Sequence, residues 1–204
     1  MTENKLLQLG EAKKLGLSIP RTFLISSLKD LKNLDNTKEY ITKPITNCIH
    51  PIINGESRLM KTSLVDFEKE GFELPDSFPT SLIQEKIEKS FELRIFYIDG
   101  VFYVTKIIEP KTSEIDHRVN IALQIEGMRY ENYKLPVSIK TKLKKLLKKF
   151  ELNCASIDMI VSLNGTYFFL EINPTGQFTY HSIFTNTYLE KKIADTLISF
   201  YYKK

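Results

Sequence analysis

The chain has 204 residues, enough for one domain of two lobes or two small domains around a core of ordinary size. Lys and Arg number 29 against 25 Asp and Glu, a net charge of +4 that permits an anionic ligand but does not imply nucleic acid. No apolar run reaches the ~18 residues of a membrane span, the polar start MTENKLLQLG has no signal h-region, and two distant cysteines with three histidines give no zinc spacing; a cytoplasmic protein with reduced thiols is expected, with neither membrane nor nucleic acid as partner.

In chain order, residues 4–15 read as a short helix stopped by Gly16. TFLIS after Pro20 is a strand, and Ser27-x-x-Asp30 opens a helix to about Leu34. EYITKP, 39–44, is a strand ended by its proline, and 45–58 reads as a long loop. Ser63-x-x-Asp66 repeats the capping signal and predicts a helix to about Glu70, followed by a turn-rich connection, GFELPDSFP. A hairpin then turns at Asp99-Gly100, a type I′ pair between alternating β-formers. Residues 111–120 are polar and irregular, and NIALQIEG is a candidate strand. VSIKTKLKKLLKKFEL, about 137–152, is an amphipathic helix with Leu143, Leu146, Leu147 and Phe150 on its apolar stripe. Its lysines read as a solvated face rather than a polyanion site. A second hairpin turns at Asn164-Gly165, and one helix from about Ser182 to Tyr202 ends the chain. Hairpins alternating with helices give an α+β fold of two lobes.

The second hairpin carries the first chemical signal. With Asn164-Gly165 as a two-residue loop, Leu163 pairs with Thr166 and Asp158 falls opposite Glu171, with Asn173 on the same face. Facing residues have Cβ atoms roughly 4.5–5.5 Å apart, and like charges there repel. The register leaves three readings open. A divalent cation could bind the oxygens, the carboxylates could face water or be paired by an Arg or Lys, or the two could share a proton as an acid/base pair. In the first hairpin, Glu92, Arg94 and Phe96 share a face, with Tyr103 and Thr105 across from Phe96 and Arg94. Read alone, that is an ordinary cross-strand pairing. Lys43 ends its strand before Pro44 and could meet a phosphate as a point charge, although a surface role is the commoner one for a lysine. No P-loop or GxGxxG pattern is present.

Together these residues resemble the ATP-grasp superfamily, most closely the ligases of the microviridin or graspetide type that mature ribosomal peptides. Asn4-Lys5 with LLQLGEAKKLGLSIPRT is similar to that family's first nucleotide lysine, its helix and its Ile-Pro-x-Thr strand. TKP supplies the second lysine, Lys43. QEKIEKSFELR looks like the hinge that reads adenine around Gln84, Glu85, Lys86 and Ile87, with Glu92 as the ribose acid and Arg94 as the Arg of the (E/D)-(L/I)-R motif. DHRVN resembles D-W-R-x-x, with His117 at the aromatic position, so Arg118 and Asn120 would contact phosphate or acyl phosphate. Asp158, Glu171 and Asn173 fall on the Mg²⁺ triad, and NPTGQF is close to the family's N-P-x-G-Q-F.

The resemblance implies an ATP-grasp fold, two lobes of antiparallel sheet plus helices with the nucleotide between them, divided here as 1–88 and 89–204. It implies ATP and Mg²⁺ as cofactors and a precursor peptide as partner. An Asp or Glu side chain would be activated as an acyl phosphate and captured by a Ser or Thr hydroxyl or a Lys amine. Arg118, Arg94 and Asn120 would be the catalytic residues. Relatives carry a further N-terminal domain of roughly a hundred residues, and this chain begins where that domain would end, so a homodimer or a partner chain supplying it is a further expectation. The competing readings are an ATP-grasp ligase for free amino acids or small carboxylates, and a non-catalytic nucleotide- or peptide-binding module.

Overall fold

The computed structural model describes residues 4–45, 52–53, 56–57, 62–65, 75–110 and 126–202. They form helices α1 (Lys5–Lys14), α2 (Leu28–Lys32), α3 (Val137–Lys149), α4 (Thr179–Thr185) and α5 (Leu189–Tyr202). The strands are β1 (Thr22–Ser27), β2 (Tyr40–Lys43), β3 (Ile52–Ile53), β4 (Glu56–Ser57), β5 (Ser63–Leu64), β6 (Ser77–Glu85), β7 (Lys89–Ile98), β8 (Val101–Ile108), β9 (Arg129–Asn132), β10 (Cys154–Ser162) and β11 (Tyr167–Asn173). The chain divides into two units: Met1–Ile19, Glu88–Lys111 and Glu126–Lys204 in one, Pro20–Ile87 and Thr112–Ile125 in the other. The first helix thus groups with the later part of the chain, not with the sheet that immediately follows it.

The first unit is built on a five-stranded antiparallel sheet in the order β11-β10-β7-β8-β9. One face carries Leu93, Ile95, Ile157, Met159, Phe169 and Ile172 into a core with Leu9 and Ala12 of α1 and Leu143, Leu146 and Leu147 of α3. α1 is capped by Asn4, whose side-chain oxygen accepts from the Leu7 amide at 3.0 Å. Buried Glu11 ties the two helices together through Lys149 of α3 at 2.6 Å. On the opposite face Phe96 and Ile98 pack with Leu189, Phe178 and Ile193, so α5 covers one end of that face. Beside them that face carries Glu92, Arg94, Thr105, Ser156 and Asp158, with Ile107 and Ile160 flanking Glu92.

The second unit holds a four-stranded sheet, β1-β6-β2-β5, and the two-stranded β3-β4. Ile25, Leu31, Tyr40 and Ile83 form its core, flanked by Phe23, Leu28 and Phe78. Ser27 caps α2, accepting from the Asp30 amide at 3.1 Å, as the sequence predicts.

Several local expectations change. Ser63 does not open a helix: Ser63 and Leu64 are β5, paired with Thr42 and Ile41. The Ser-x-x-Asp signal is a local preference, and the open edge of β2 overrides it at these two residues; residues 66–70 lie outside the described set. GFELPDSFP does not remain a turn throughout, because β6 begins at Ser77. Pro79 is accommodated where the β1–β6 register shifts between Ile25 and Ser27. The strand expected in NIALQIEG lies outside the described residues up to 125, while β9, unpredicted, begins at Arg129. The terminal helix is two helices, broken where Asn186 and Tyr188 take positive φ of 51° and 50°. The Asp99-Gly100 turn is as expected, with both residues at positive φ and Ile98 paired to Val101.

Leu146 is fully buried between α3 and the sheet. Its replacement by Ala should destabilise the chain by about 2–5 kcal/mol, read as a lower midpoint in chemical denaturation.

Candidate functional site

The polar face of the five-stranded sheet brings together residues from β7, β10 and β11. Asp158 of the inner strand β10 pairs with Glu171 on one side and with Arg94 on the other. Ser156 pairs with Asn173 and with Phe96, and Arg94 with Thr105. The Asp158–Glu171 pairing is therefore the expected one, but the route to it differs. The loop at the turn has three residues: the Ser162 amide bonds the Thr166 carbonyl, and Val161 pairs with Tyr167. Gly165 takes φ +82°, the left-handed position that such loops use. This shifts the strands by one residue relative to a two-residue turn. A bulge between Asp158 and Met159, with Leu170 as the extra residue, shifts them back. The two departures cancel, and Glu171 and Asn173 face the same way as Asp158.

Two cations of the chain answer the like-charge pair. Arg94 Nη1 lies 2.7 and 2.5 Å from the two Asp158 oxygens, with side chains only 10% and 19% exposed. Burial works against the Arg94 charge, but Asp158 together with Tyr180 and Glu171 outweighs it and holds the guanidinium above its ordinary pKa. Lys5, at the start of α1, lies 3.1 Å from Glu171. Of the readings the register left open, pairing by an Arg and a Lys is the arrangement seen.

The segment after β11 closes over Arg94. Asn173 Oδ1 accepts from the Thr175 amide at 3.1 Å, an Asx turn that starts the bend. Arg94 Nη2 donates to the Gln177 carbonyl at 3.0 Å, and Ser156 Oγ donates to the Gly176 carbonyl at 3.3 Å. Phe178 then packs against Phe96, ring centroids 5.1 Å apart and planes tilted by 42°. Gly176 is required by space: a Cβ there would sit 2.5 Å from Ser156 Cβ and 2.9 Å from Arg94 Nη2. Tyr180 of α4 completes the surroundings, its phenol pushed far up by burial against the opposing pull of Arg94, so it stays neutral and able to donate.

The other candidates fall into three groups. Glu92 shares the Arg94 face, but its carboxylate is held by Lys89 at 2.5 Å, and Lys89 also bonds Glu109. Lys43, Gln84, Glu85, Lys86 and Ile87 belong to the second unit. There Gln84 is fully buried, donates to Thr22 Oγ1 at 2.9 Å, and leaves its Oε1 without a partner among the described residues. The Glu85 and Lys86 amides bond the Arg21 and Glu39 carbonyls, each at 2.9 Å. Arg118 and Asn120 lie outside the described residues. Sequence reasoning missed Lys89, Glu109, Ser156 and Tyr180; only Gly176, inside NPTGQF, carried a signal.

Among the described residues no group of three His, Cys, Asp or Glu side chains forms a metal cluster. The donor set still suits a hard cation: two facing carboxylates with an amide oxygen two residues on are oxygen ligands of the kind Mg²⁺ takes when phosphates complete its shell.

Gly176→Ala should overpack the Ser156–Arg94 contact and cost about 1–3 kcal/mol. Adding Ser156→Gly should recover part of the loss. A double-mutant cycle by denaturation checks this, and strictly additive effects would count against the contact.

No family model and no curated protein matches the chain. Solved structures do. A RiPP-associated ATP-grasp ligase of Chryseobacterium gregarium, in complex with ADP and a leader and core peptide, is 26% identical with a TM-score of 0.82, over 97% of this chain and 60% of its own. The macrocyclase MdnC of Microcystis aeruginosa MRC, bound with precursor peptide MdnA, is 28% identical with a TM-score of 0.78, over 97% and 60%. The ATP-grasp ligase PsnB, complexed with a phosphomimetic variant of minimal precursor, Mg and ADP, is 20% identical with a TM-score of 0.72, over 97% and 58%. The chain spans about three fifths of the length of these proteins. Two antiparallel sheets with their helices, matched over 97% of the chain, establish that it has the ATP-grasp fold in the form carried by RiPP-associated ATP-grasp ligases.

Proposed function

We propose that the chain acts in an ATP-dependent carboxylate ligase for a ribosomal precursor peptide. It would activate Asp or Glu side chains as acyl phosphates and join them to a hydroxyl or amine, giving ω-ester or ω-amide crosslinks. The observation that carries this reading is the placement of Asp158 between Glu171 and Arg94 on one sheet face. That arrangement puts metal-type oxygens and a buried guanidinium side by side. The Arg94 Nε is itself buried without a partner among the described residues, a donor suited to an anionic oxygen.

In this reading Asp158, Glu171 and Asn173 hold Mg²⁺, which supplies charge stabilisation to phosphate oxygens. Lys5 and Lys43 bind phosphates, Gln84 to Ile87 bind adenine, and Glu92 binds the ribose. Arg94, with Arg118 and Asn120, steadies the transferring phosphoryl group, so catalysis is mainly positioning and electrostatics. The GQF segment, tied through its backbone to Arg94 and Ser156, shapes the side on which the acceptor arrives.

Incubating the chain with ATP, Mg²⁺ and a precursor peptide rich in Thr and Glu should remove one water per crosslink, read by mass spectrometry. Turnover of free amino acids without peptide would favour the small-carboxylate ligase, and nucleotide binding without ADP release a non-catalytic module. Glu171→Gln should lower Mg²⁺-dependent ATP turnover by about 100-fold or more with the fold intact; normal turnover would remove the metal assignment. Lys43→Ala should weaken nucleotide binding by calorimetry, and unchanged affinity would exclude its phosphate contact.

A further inference from the structure

The carboxylate Glu171 lies on β11, which among the described residues is the edge of its sheet. An edge strand has no second neighbour to hold its register, and this one also carries the bulge at Leu170. A one-residue slip in a strand turns its side chains to the other face. Here that would carry Glu171 and Asn173 away from Asp158.

Two contacts stand in for the missing strand, one on each side of the bulge. The Phe169 amide bonds the Ser18 carbonyl at 2.8 Å. At Ile172 the partner is a side chain. Gln8 Nε2 donates to the Ile172 carbonyl at 2.8 Å, and the Ile172 amide donates to Gln8 Oε1 at 2.7 Å. The carboxamide reproduces the donor and acceptor of a peptide group and occupies the outward side of the strand between Glu171 and Asn173. Gln8 is 1% exposed, so neither bond competes with solvent. Gln8 also lies three residues after Lys5, one turn along α1, so the helix that clamps Ile172 delivers Lys5 to Glu171.

We propose that Gln8 is a positioning residue, whose carboxamide locks the bulged edge strand so that Glu171 and Asn173 stay on the face of Asp158. Its consequence for metal binding rests on the function proposed above; the clamp itself does not. Gln8→Met keeps the length and loses both bonds. Gln8→Glu is a second variant that keeps the acceptor for the Ile172 amide but sets a buried carboxylate oxygen against the Ile172 carbonyl.

The experiment is Mn²⁺ binding, with and without ADP, to the full chain and to each variant that remains folded, alongside amide hydrogen exchange at Ile172. Leu146→Ala, which loosens the same core from α3 but leaves both Gln8 bonds to Ile172 in place, is the control. Gln8→Met should weaken Mn²⁺ by about 10- to 100-fold and lose protection at Ile172, Gln8→Glu should lose at least as much, and Leu146→Ala should keep its affinity. Gln8 variants that bind as the unaltered chain does would overturn the positioning role and leave the metal reading standing. An equal loss in Leu146→Ala would reduce Gln8 to a stability effect and overturn the role as well. An unaltered chain that binds no Mn²⁺ would overturn the metal reading and this inference with it.

Discussion

The organisation of the first unit depends on one electrostatic constraint, two carboxylates set directly opposite each other in a sheet. Two unit charges about 5 Å apart at an effective dielectric near 20 repel by about 3 kcal/mol, a sizeable fraction of the 5–15 kcal/mol that typically holds a domain folded. The chain meets this with Arg94 on the inner strand β7 and Lys5 on α1. The two cations do unequal work. Lys5 reaches Glu171 at the sheet edge and at 3.1 Å. Arg94 is nearly enclosed, and taking away one member of a buried pair leaves the other uncompensated at a cost of about 3–5 kcal/mol. Arg94 is thus part of the fold as well as a candidate for the chemistry.

The second constraint follows from the first. A guanidinium fixed on Asp158 has a further nitrogen pointing at the segment after β11, and that segment supplies the Gln177 carbonyl to it. Ser156, one pleat along β10, holds the adjacent Gly176 carbonyl. A side chain at 176 would occupy the space these two residues fill. The glycine, the Asx turn of Asn173 and the Phe96–Phe178 ring contact therefore answer one requirement, a chain that reverses tightly over a charged residue. The same few residues hold the carboxylates and define what lies beside them, which couples any cation at Asp158 to the shape of the neighbouring surface.

How much of this could be read in the sequence depends on how local the cause is. The Asp99-Gly100 turn, the Ser27 cap and the Leu143–Leu146–Leu147 stripe are decided within a few residues, and each is where the pattern puts it. The Asp158–Glu171 pairing was reached through a two-residue turn, whereas the chain uses a three-residue loop and a compensating bulge. Alternation alone cannot show a bulge, because the strand resumes its period one residue later. The pairing partner of Ser63 and the break at Asn186 were hidden for the complementary reason: a Ser-x-x-Asp signal and a continuous helical period are real local tendencies that other parts of the chain override.

The least legible part of the site is the part that closes it. Gln8 and Ile172 are 164 residues apart, and nothing in KLLQLGEAKK marks one glutamine as a substitute peptide group. Gln8 and Lys5, on a helix early in the chain, find these partners only on the last hairpin, so their meaning is carried by topology, not by any short motif. The resemblance located Lys5 because a lysine at that place belongs to a recognisable string. It was silent on Gln8, whose contribution is geometric and is expressed through backbone atoms of another strand. Burial gives the physical criterion that separates the two: a polar side chain 1% exposed on the buried face of a helix must have its hydrogen bonds met inside the protein, and tracing where they go leads from α1 to the edge that holds Glu171.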